Sequence, residues 1–172
     1  MHVRTLAALT LASALGTLSA PASAVDLIQH GAMPVAANRI VGAWNNQAFV
    51  GPCDGVPSAV PQAVTVIFNP GGTFVDNPRF PPQGIATPAG TMQRSIGLGS
   101  WNYVPGSGKW SMEQRFDWYK NNVYDGYQVI SRKSMVVSGD GKRLTSPVEV
   151  SRYNAAGVLI QKQCGHATAT RI

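Results

Sequence analysis

The stretch Lys109–Lys120, KWSMEQRFDWYK, decides the fold class, because apolar and polar residues alternate along it almost without a break. Every second residue belongs to a set that is apolar except for one glutamine: Trp110, Met112, Gln114, Phe116 and Trp118. Successive side chains of a strand point to opposite faces of a sheet, so this period of two predicts a half-buried β-strand. We expect the apolar set to face the interior.

Similar short runs recur along the chain, and turns rich in Gly, Asn and Asp separate them. With 109–120, they predict eight strands, the others at 39–50, 62–69, 73–77, 98–104, 127–137, 142–153 and 158–171. Eight strands joined mostly by tight turns close most simply as an antiparallel up-and-down β-barrel. A β-sandwich is the alternative, because the long connections 51–61 and 78–97 could carry crossovers.

Length and composition set the domain organisation. A chain of 172 residues that is 44% hydrophobic is suited to one domain with a core. We predict a signal peptide at 1–24, an extended N-terminal segment at 25–38 and a single barrel domain at 39–172. Two cysteines are too few for a zinc ribbon, and no His, Cys and Asp residues have the spacing of metal ligands, so we expect no metal and no cofactor.

The N-terminus has the three parts of a secretory signal. His2 and Arg4 form a basic start, residues 6–18 are mostly apolar, and Ala22-Ser23-Ala24 is a small-residue cleavage site. Cleavage would leave 148 residues with a formal charge of +5, since it removes Arg4 and no acidic residue. We therefore expect a periplasmic or secreted protein, without stable membrane insertion because no later run of 18 apolar residues follows.

Export also predicts a disulfide between Cys53 and Cys164, because oxidising compartments allow such bonds. Cys53 follows the first strand and Cys164 lies early in the last, so the bond would place these two strands side by side, as closure of a barrel requires. Antiparallel partners have a constant sum of residue numbers, and a sum of 217 places Arg171 opposite about residue 46. The bond would restrict the unfolded chain, and the loss of chain entropy in a loop of this size corresponds to about 4–5 kcal/mol of stability.

Two short motifs carry a family resemblance. Gly42-Ala43-Trp44 on the first strand, with Arg171 on the last, resembles the lipocalins and the wider calycin group. The resemblance spans roughly residues 39–172. It implies that Trp44 packs against Arg171 and closes one end of the barrel, so that Gly42, Trp44 and Arg171 are structural. It also implies an apolar cavity for a small ligand.

A second resemblance is to the avidins, which share the barrel type. Trp44-Asn45-Asn46-Gln47, the segment 118–122 and Gly165-His166-Ala167-Thr168 are similar to avidin segments. Ala167 stands where the avidin pattern has an acidic residue, so the resemblance implies the barrel and not biotin binding.

The inward aromatic side chains are the strongest candidates for a binding site. The predicted ligand-binding residues are Trp101, Trp110, Gln114, Phe116 and Trp118. An eight-stranded barrel can be filled by its side chains or can hold one small ligand, and the sequence leaves both possible. Gln114 favours a pocket, because an isolated amide among aromatic rings is suited to orienting a ligand. Phe80 and Arg94, in the 78–97 connection, are candidates to cover the mouth.

Binding of a small, partly apolar molecule by a monomer is the function that these residues favour. An isomerase or hydrolase that uses the same cavity is an alternative, with His166 or Tyr103 as the acid–base residue. A secreted interaction or inhibitor module that acts through the 78–97 connection is another. The basic pairs Arg132-Lys133 and Lys142-Arg143 are interpreted as solvated surface, and the export signal argues against a nucleic-acid partner.

Overall fold

The computed structural model describes residues 35–172, so the predicted signal peptide and most of the N-terminal segment lie outside the described residues. A short 3-10 helix, Ala37–Ile40, precedes the strands. The ten strands are β1 (Gly42–Pro52), β2 (Gln62–Phe68), β3 (Thr73–Pro78), β4 (Ile85–Thr87), β5 (Gly90–Arg94), β6 (Gly97–Val104), β7 (Lys109–Lys120), β8 (Val123–Val137), β9 (Arg143–Tyr153) and β10 (Leu159–Arg171). No helix in residues 35–172 is long and apolar enough to cross a membrane.

Eight of these strands close into an antiparallel barrel, which confirms the predicted fold and excludes the sandwich. The order around the barrel is β1, β2, β3, β6, β7, β8, β9, β10, and β10 pairs with β1 again. The hairpin of β4 and β5 stands outside this circle and pairs with the far end of β7. The connection between β3 and β6 is therefore structured, although its Pro-rich and Gly-rich sequence has no clear strand pattern.

The disulfide between Cys53 and Cys164 is confirmed, with the two Cα atoms 4.6 Å apart. The register predicted from it was two residues off. In the ladder between β1 and β10, Trp44 lies opposite Arg171 and Gly51 lies opposite Cys164, a constant sum of 215. The difference arises because Cys53 lies one residue beyond the end of β1 and reaches back to Cys164 from outside the ladder.

The interior contains two apolar clusters. The helix-end cluster lies under the 3-10 helix and consists of Ile40, Trp44, Val66, Phe68, Phe74, Trp101, Trp110, Met112, Met135, Val137, Leu144 and Ala169. The mouth-end cluster consists of Ala48, Val50, Phe116, Ile130, Val148, Val150 and Ala167, with Trp118 packed against it. Buried polar side chains occur between the two, as Asn46 does between Trp44 and Ala48 on β1. One end of the barrel is therefore a filled core.

Strand β8 contains an irregularity that changes which residues face inward. Its buried residues alternate as far as Arg132 and resume at Met135, so the alternation shifts by one residue. The pairing with β9 is interrupted between Ser131 and Val136, and Ser134 has a positive φ of 58°. Pro147 of β9 lies opposite the interruption and has no N–H to donate, which is consistent with an unpaired position.

The burial of Arg132 corrects one interpretation of the sequence. Arg132 was expected to lie on the solvated surface beside Lys133, but its relative exposure is only 3% and it lies inside the barrel. A regular alternation from either end of the strand does not give both Arg132 and Met135 as inward residues. Only a strand with an extra residue can place both of them inside.

Candidate functional site

A pocket of about 410 Å³, which we call the mouth pocket, opens where the barrel wall is incomplete. Strand β3 ends at Pro78 and β6 begins at Gly97, while β2 and β7 extend further in the same direction. The β4–β5 hairpin covers part of this gap. The mouth pocket is lined by Pro61, Gln62, Ala63, Val64, Arg79, Phe80, Ile85, Arg94, Phe116 and Trp118.

Three aromatic rings form one wall of the mouth pocket. The ring centroid of Phe80 lies 5.9 Å from that of Trp118, which in turn lies 5.6 Å from that of Phe116. These separations are typical of tilted and edge-to-face aromatic packing. The indole Nε1 of Trp118 donates a hydrogen bond of 3.1 Å to Oε1 of Gln128, which fixes the orientation of the ring. The wall is therefore apolar, and a hydrogen bond orients its central ring.

Arg94 lies where the mouth pocket meets the buried polar side chains of the barrel interior. Its guanidinium carbon lies 3.5 Å from the centroid of the Phe116 ring, and its Nη2 forms an ion pair with Asp76. Burial lowers the pKa of Arg94, while the charge of Asp76 and the hydrogen bond to it act in the opposite direction. Arg94 thus belongs to the pocket lining and to the buried polar network at the same time.

Asp76 is the centre of that network. Its relative exposure is 1%, and its Oδ1 accepts a hydrogen bond of 2.7 Å from the backbone N–H of Gly97. Its Oδ2 accepts a hydrogen bond of 2.9 Å from Nε2 of Gln114, and Arg94 supplies the opposite charge. A buried carboxylate is tolerated when it is paired and hydrogen-bonded in this way.

Arg132 is also buried, but it has fewer partners. Its Nη1 donates a hydrogen bond of 2.8 Å to Oδ1 of Asn46. Burial lowers the pKa of Arg132 to about 10, and the charge of Asp76 opposes this shift. Because that pKa is still well above neutrality, Arg132 carries a positive charge at pH 7.

Five buried polar side-chain atoms have no hydrogen-bond partner in the described part of the chain. They include Nε of Arg132, Nδ2 of Asn46 and Oγ of Ser146, and also Oε1 of Gln114 and Nη1 of Arg152. Most buried polar groups in proteins do have a partner. We call Asn46, Asp76, Gln114, Arg132 and Ser146 the polar layer. The unpaired atoms mark it as a site that can bind something polar.

The predicted ligand-binding residues fall into two groups. Phe116 and Trp118 line the mouth pocket together with Phe80 and Arg94, and Gln114 lies in the polar layer. Trp101 and Trp110 lie in the helix-end cluster, away from the pocket. Their indole N–H groups donate to backbone carbonyls, of Asn69 at 3.0 Å for Trp101 and of Ala37 at 2.9 Å for Trp110.

The two candidate acid–base residues do not meet at the pocket. His166 is exposed on the outside of β10, where its ring stacks on Phe49 with the centroids 5.0 Å apart. Tyr103 packs at the helix-end cluster, and its ring centroid lies 5.1 Å from that of Trp110. Neither residue is among those that line the mouth pocket.

Sequence reasoning missed most of the polar layer. A signal for two of its residues exists, because the alternation along β9 indicates an inward Ser146 and the alternation of β1 around Trp44 indicates an inward Asn46. Asp76 and Arg132 gave no such signal, because a charged residue in a strand is ordinarily expected to face solvent. The sequence matches no protein-family model, and no curated protein is detectably similar to it. The function must therefore be inferred from the mouth pocket and the polar layer.

Proposed function

We propose that the protein binds a small, partly apolar molecule in the mouth pocket. The observation that carries this proposal is a gap in the barrel wall with an aromatic side and a buried polar network next to it. Small-ligand sites usually have volumes of roughly 300–1,000 Å³, apolar walls and a few placed polar groups. The mouth pocket, at about 410 Å³, has these properties. Phe80 and Trp118 would contact the apolar part of the ligand.

Binding without catalysis is the simpler proposal for this pocket. The described residues that line it include two arginines and a glutamine, but no His, Cys, Ser, Asp or Glu that could act as nucleophile or base. His166 and Tyr103, the candidates for an isomerase or hydrolase, lie elsewhere. We place the interaction-module alternative below binding for a different reason, since part of the 78–97 connection is used to form the pocket.

We further propose that the protein acts in the periplasm or outside the cell, as a monomer, after removal of residues 1–24. The disulfide between Cys53 and Cys164 supports this location, because such bonds persist in oxidising compartments. We also propose kinship with the calycin group. The pairing of Trp44 with Arg171 across the closing strands supports that relationship.

The first experiment looks for a bound molecule directly. The protein is purified from its own host and studied by native mass spectrometry, and a co-purifying small molecule would identify the class of ligand. In parallel, 1-octanol is titrated while the tryptophan fluorescence of the protein is followed, because Trp118, one of its four tryptophans, lies in the pocket wall. We expect saturable binding of 1-octanol.

Two alanine variants with similar side-chain loss then locate the site. Phe80→Ala removes a ring from the pocket, and Phe49→Ala removes a half-buried ring from the outer surface. We expect about a tenfold weaker affinity for 1-octanol in Phe80→Ala, from the lost apolar contact, and little change in Phe49→Ala. Equal affinities in the two variants, or no binding by the unmodified protein, would overturn the proposal.

A further inference from the structure

We propose that the ligand carries a carboxylate, and that Arg132 and Asn46 bind this group in the polar layer. This inference rests on the proposed function and specifies its ligand. The starting point is an imbalance of buried charge. Three arginines of the described residues, Arg94, Arg132 and Arg152, have buried or nearly buried side chains. Arg152 pairs with Asp125, whereas Arg94 and Arg132 share one buried carboxylate, that of Asp76.

The carboxylate of Asp76 is already occupied. It accepts hydrogen bonds from Gly97 and Gln114 in addition to its ion pair with Arg94. The charge of Asp76 interacts with that of Arg132, but the hydrogen bond that Arg132 donates from Nη1 goes to the neutral amide of Asn46. A buried charge is normally paired. An anion beside Arg132 would supply the missing pair.

The unpaired atoms have the chemistry that recognises a carboxylate. Arg132 Nε and Asn46 Nδ2 are donors, and the hydroxyl of Ser146 can donate as well. All three side chains are more than nine-tenths buried. A carboxylate has two oxygens that accept several hydrogen bonds and pairs well with a guanidinium group. A hydroxyl or amide ligand would leave the charge of Arg132 without a partner.

The two remaining unpaired atoms, on Gln114 and Arg152, are consistent with a carboxylate bound at Arg132. Oε1 of Gln114 only accepts hydrogen bonds, so it would face a hydroxyl of the ligand or a water molecule and not the carboxylate. Arg152 already has a counter-charge, because its Nη2 lies 2.6 Å from Oδ2 of Asp125. The excess positive charge is therefore localised at Arg132.

Arg94 and Asp76 connect this site to the mouth pocket. Arg94 lines the pocket and contacts the Phe116 ring, and Asp76, its ion-pair partner, interacts electrostatically with Arg132. A ligand whose apolar part lies against Phe80 and Trp118 would thus extend its charged end past Arg94 towards Arg132. The aromatic wall would bind the chain, and the polar layer would bind the head group.

The test compares two probes of equal chain length, octanoate and 1-octanol, at pH 7. Dissociation constants are measured by calorimetry for the unmodified protein, for Arg132→Met and for the control Arg115→Met. Arg115 lies on the outer face of β7, with its side chain 57% exposed. We expect octanoate to bind the unmodified protein about tenfold or more tightly than 1-octanol, as a charge-assisted hydrogen bond implies.

The variants separate the possible outcomes. In Arg132→Met we expect the preference for octanoate to disappear, and in Arg115→Met we expect the preference to remain. Equal affinities for the two probes in the unmodified protein, or a preference that survives Arg132→Met, would overturn the carboxylate inference alone. If neither probe binds, the proposed function itself fails.

Discussion

Arg171, on the last strand, covers the indole ring of Trp44 on the first strand, with its guanidinium carbon 4.2 Å from the ring centroid. The guanidinium also donates to the carbonyls of Gly141 at 2.8 Å, Val41 at 2.6 Å and Arg39. Trp44 is fully buried and donates from Nε1 to the carbonyl of Ile40 at 2.8 Å. One arginine thus connects the first strand, the 3-10 helix and the β8–β9 turn at the closed end.

Replacing Arg171 by alanine should therefore destabilise the barrel. Three hydrogen bonds from a charged donor and a contact with the indole ring are lost, and we expect the free energy of unfolding to fall by about 2–4 kcal/mol. Urea denaturation measures the change. Arg115→Ala is the control, because Arg115 is exposed and its ion pair with Asp117 is a surface one. Similar losses in the two variants would contradict a closing role for Arg171.

Gly42 should be intolerant of a side chain for two separate reasons. Its φ is +127°, and an added Cβ would lie 2.7 Å from Nη1 of Arg171. We expect Gly42→Ala to lower the free energy of unfolding by about 2–3 kcal/mol. Gly71→Ala is the matched control, since Gly71 also has a positive φ, of +87°, but no atom lies within 4 Å of an added Cβ. The excess loss in Gly42→Ala measures the combined effect of the contact with Arg171 and of the different φ, and equal losses would contradict the prediction.

The disulfide should contribute more to stability than its exposed position at Cys53 indicates. It joins residues 111 apart in sequence and so restricts a large part of the unfolded chain. Chain entropy gives an upper value of about 4–5 kcal/mol. We expect the double variant Cys53→Ser, Cys164→Ser to be less stable by about 2–4 kcal/mol in denaturant titrations. A fall in the refolding rate with no change in the unfolding rate would be consistent with an effect on the unfolded state, whereas a loss below 1 kcal/mol would contradict it.

Arg132 should be dispensable for stability if its role is to bind a ligand. Its charge is buried with one hydrogen bond to a neutral group, and replacing such a charge by an apolar side chain is often stabilising. We expect Arg132→Met to raise the free energy of unfolding of the ligand-free protein by about 1–2 kcal/mol. A loss of that size would instead assign Arg132 a structural role.

The difference in the free energy of unfolding between Arg132→Met and the unmodified protein should change with pH in one direction. The pKa of Arg132 is lowered by burial to about 10 in the folded state and returns to its higher ordinary value on unfolding. Above pH 10 the unfolded chain therefore binds more protons at this residue, so the stability of the unmodified protein rises with pH relative to the variant. We expect the advantage of Arg132→Met to shrink between pH 8.5 and 10.5 in denaturant titrations. An advantage that grows with pH would contradict burial of this charge.

Local patterns were sufficient to predict the barrel. Strand period is a property of neighbouring residues, so the alternation from Trp110 to Trp118 identified the inner face of β7 without knowledge of any partner strand. The pairing of Cys53 with Cys164 and the position of Trp44 near Arg171 then indicated which strands close the circle. The register was two residues off because a disulfide joins side chains that need not lie opposite each other in the ladder.

Only the tertiary structure decided which inward residues form a core and which form a pocket. Trp101 and Phe116 have the same sequence signature, but one packs in the helix-end cluster and the other faces a gap. The gap exists because β3 and β6 stop before β2 and β7 do at this end of the barrel. Met135 faces inward together with Arg132 because β8 shifts its alternation opposite Pro147. Strand period is fixed by covalent geometry and is visible locally, whereas strand ends, bulges and wall gaps are set by contacts between segments far apart in sequence.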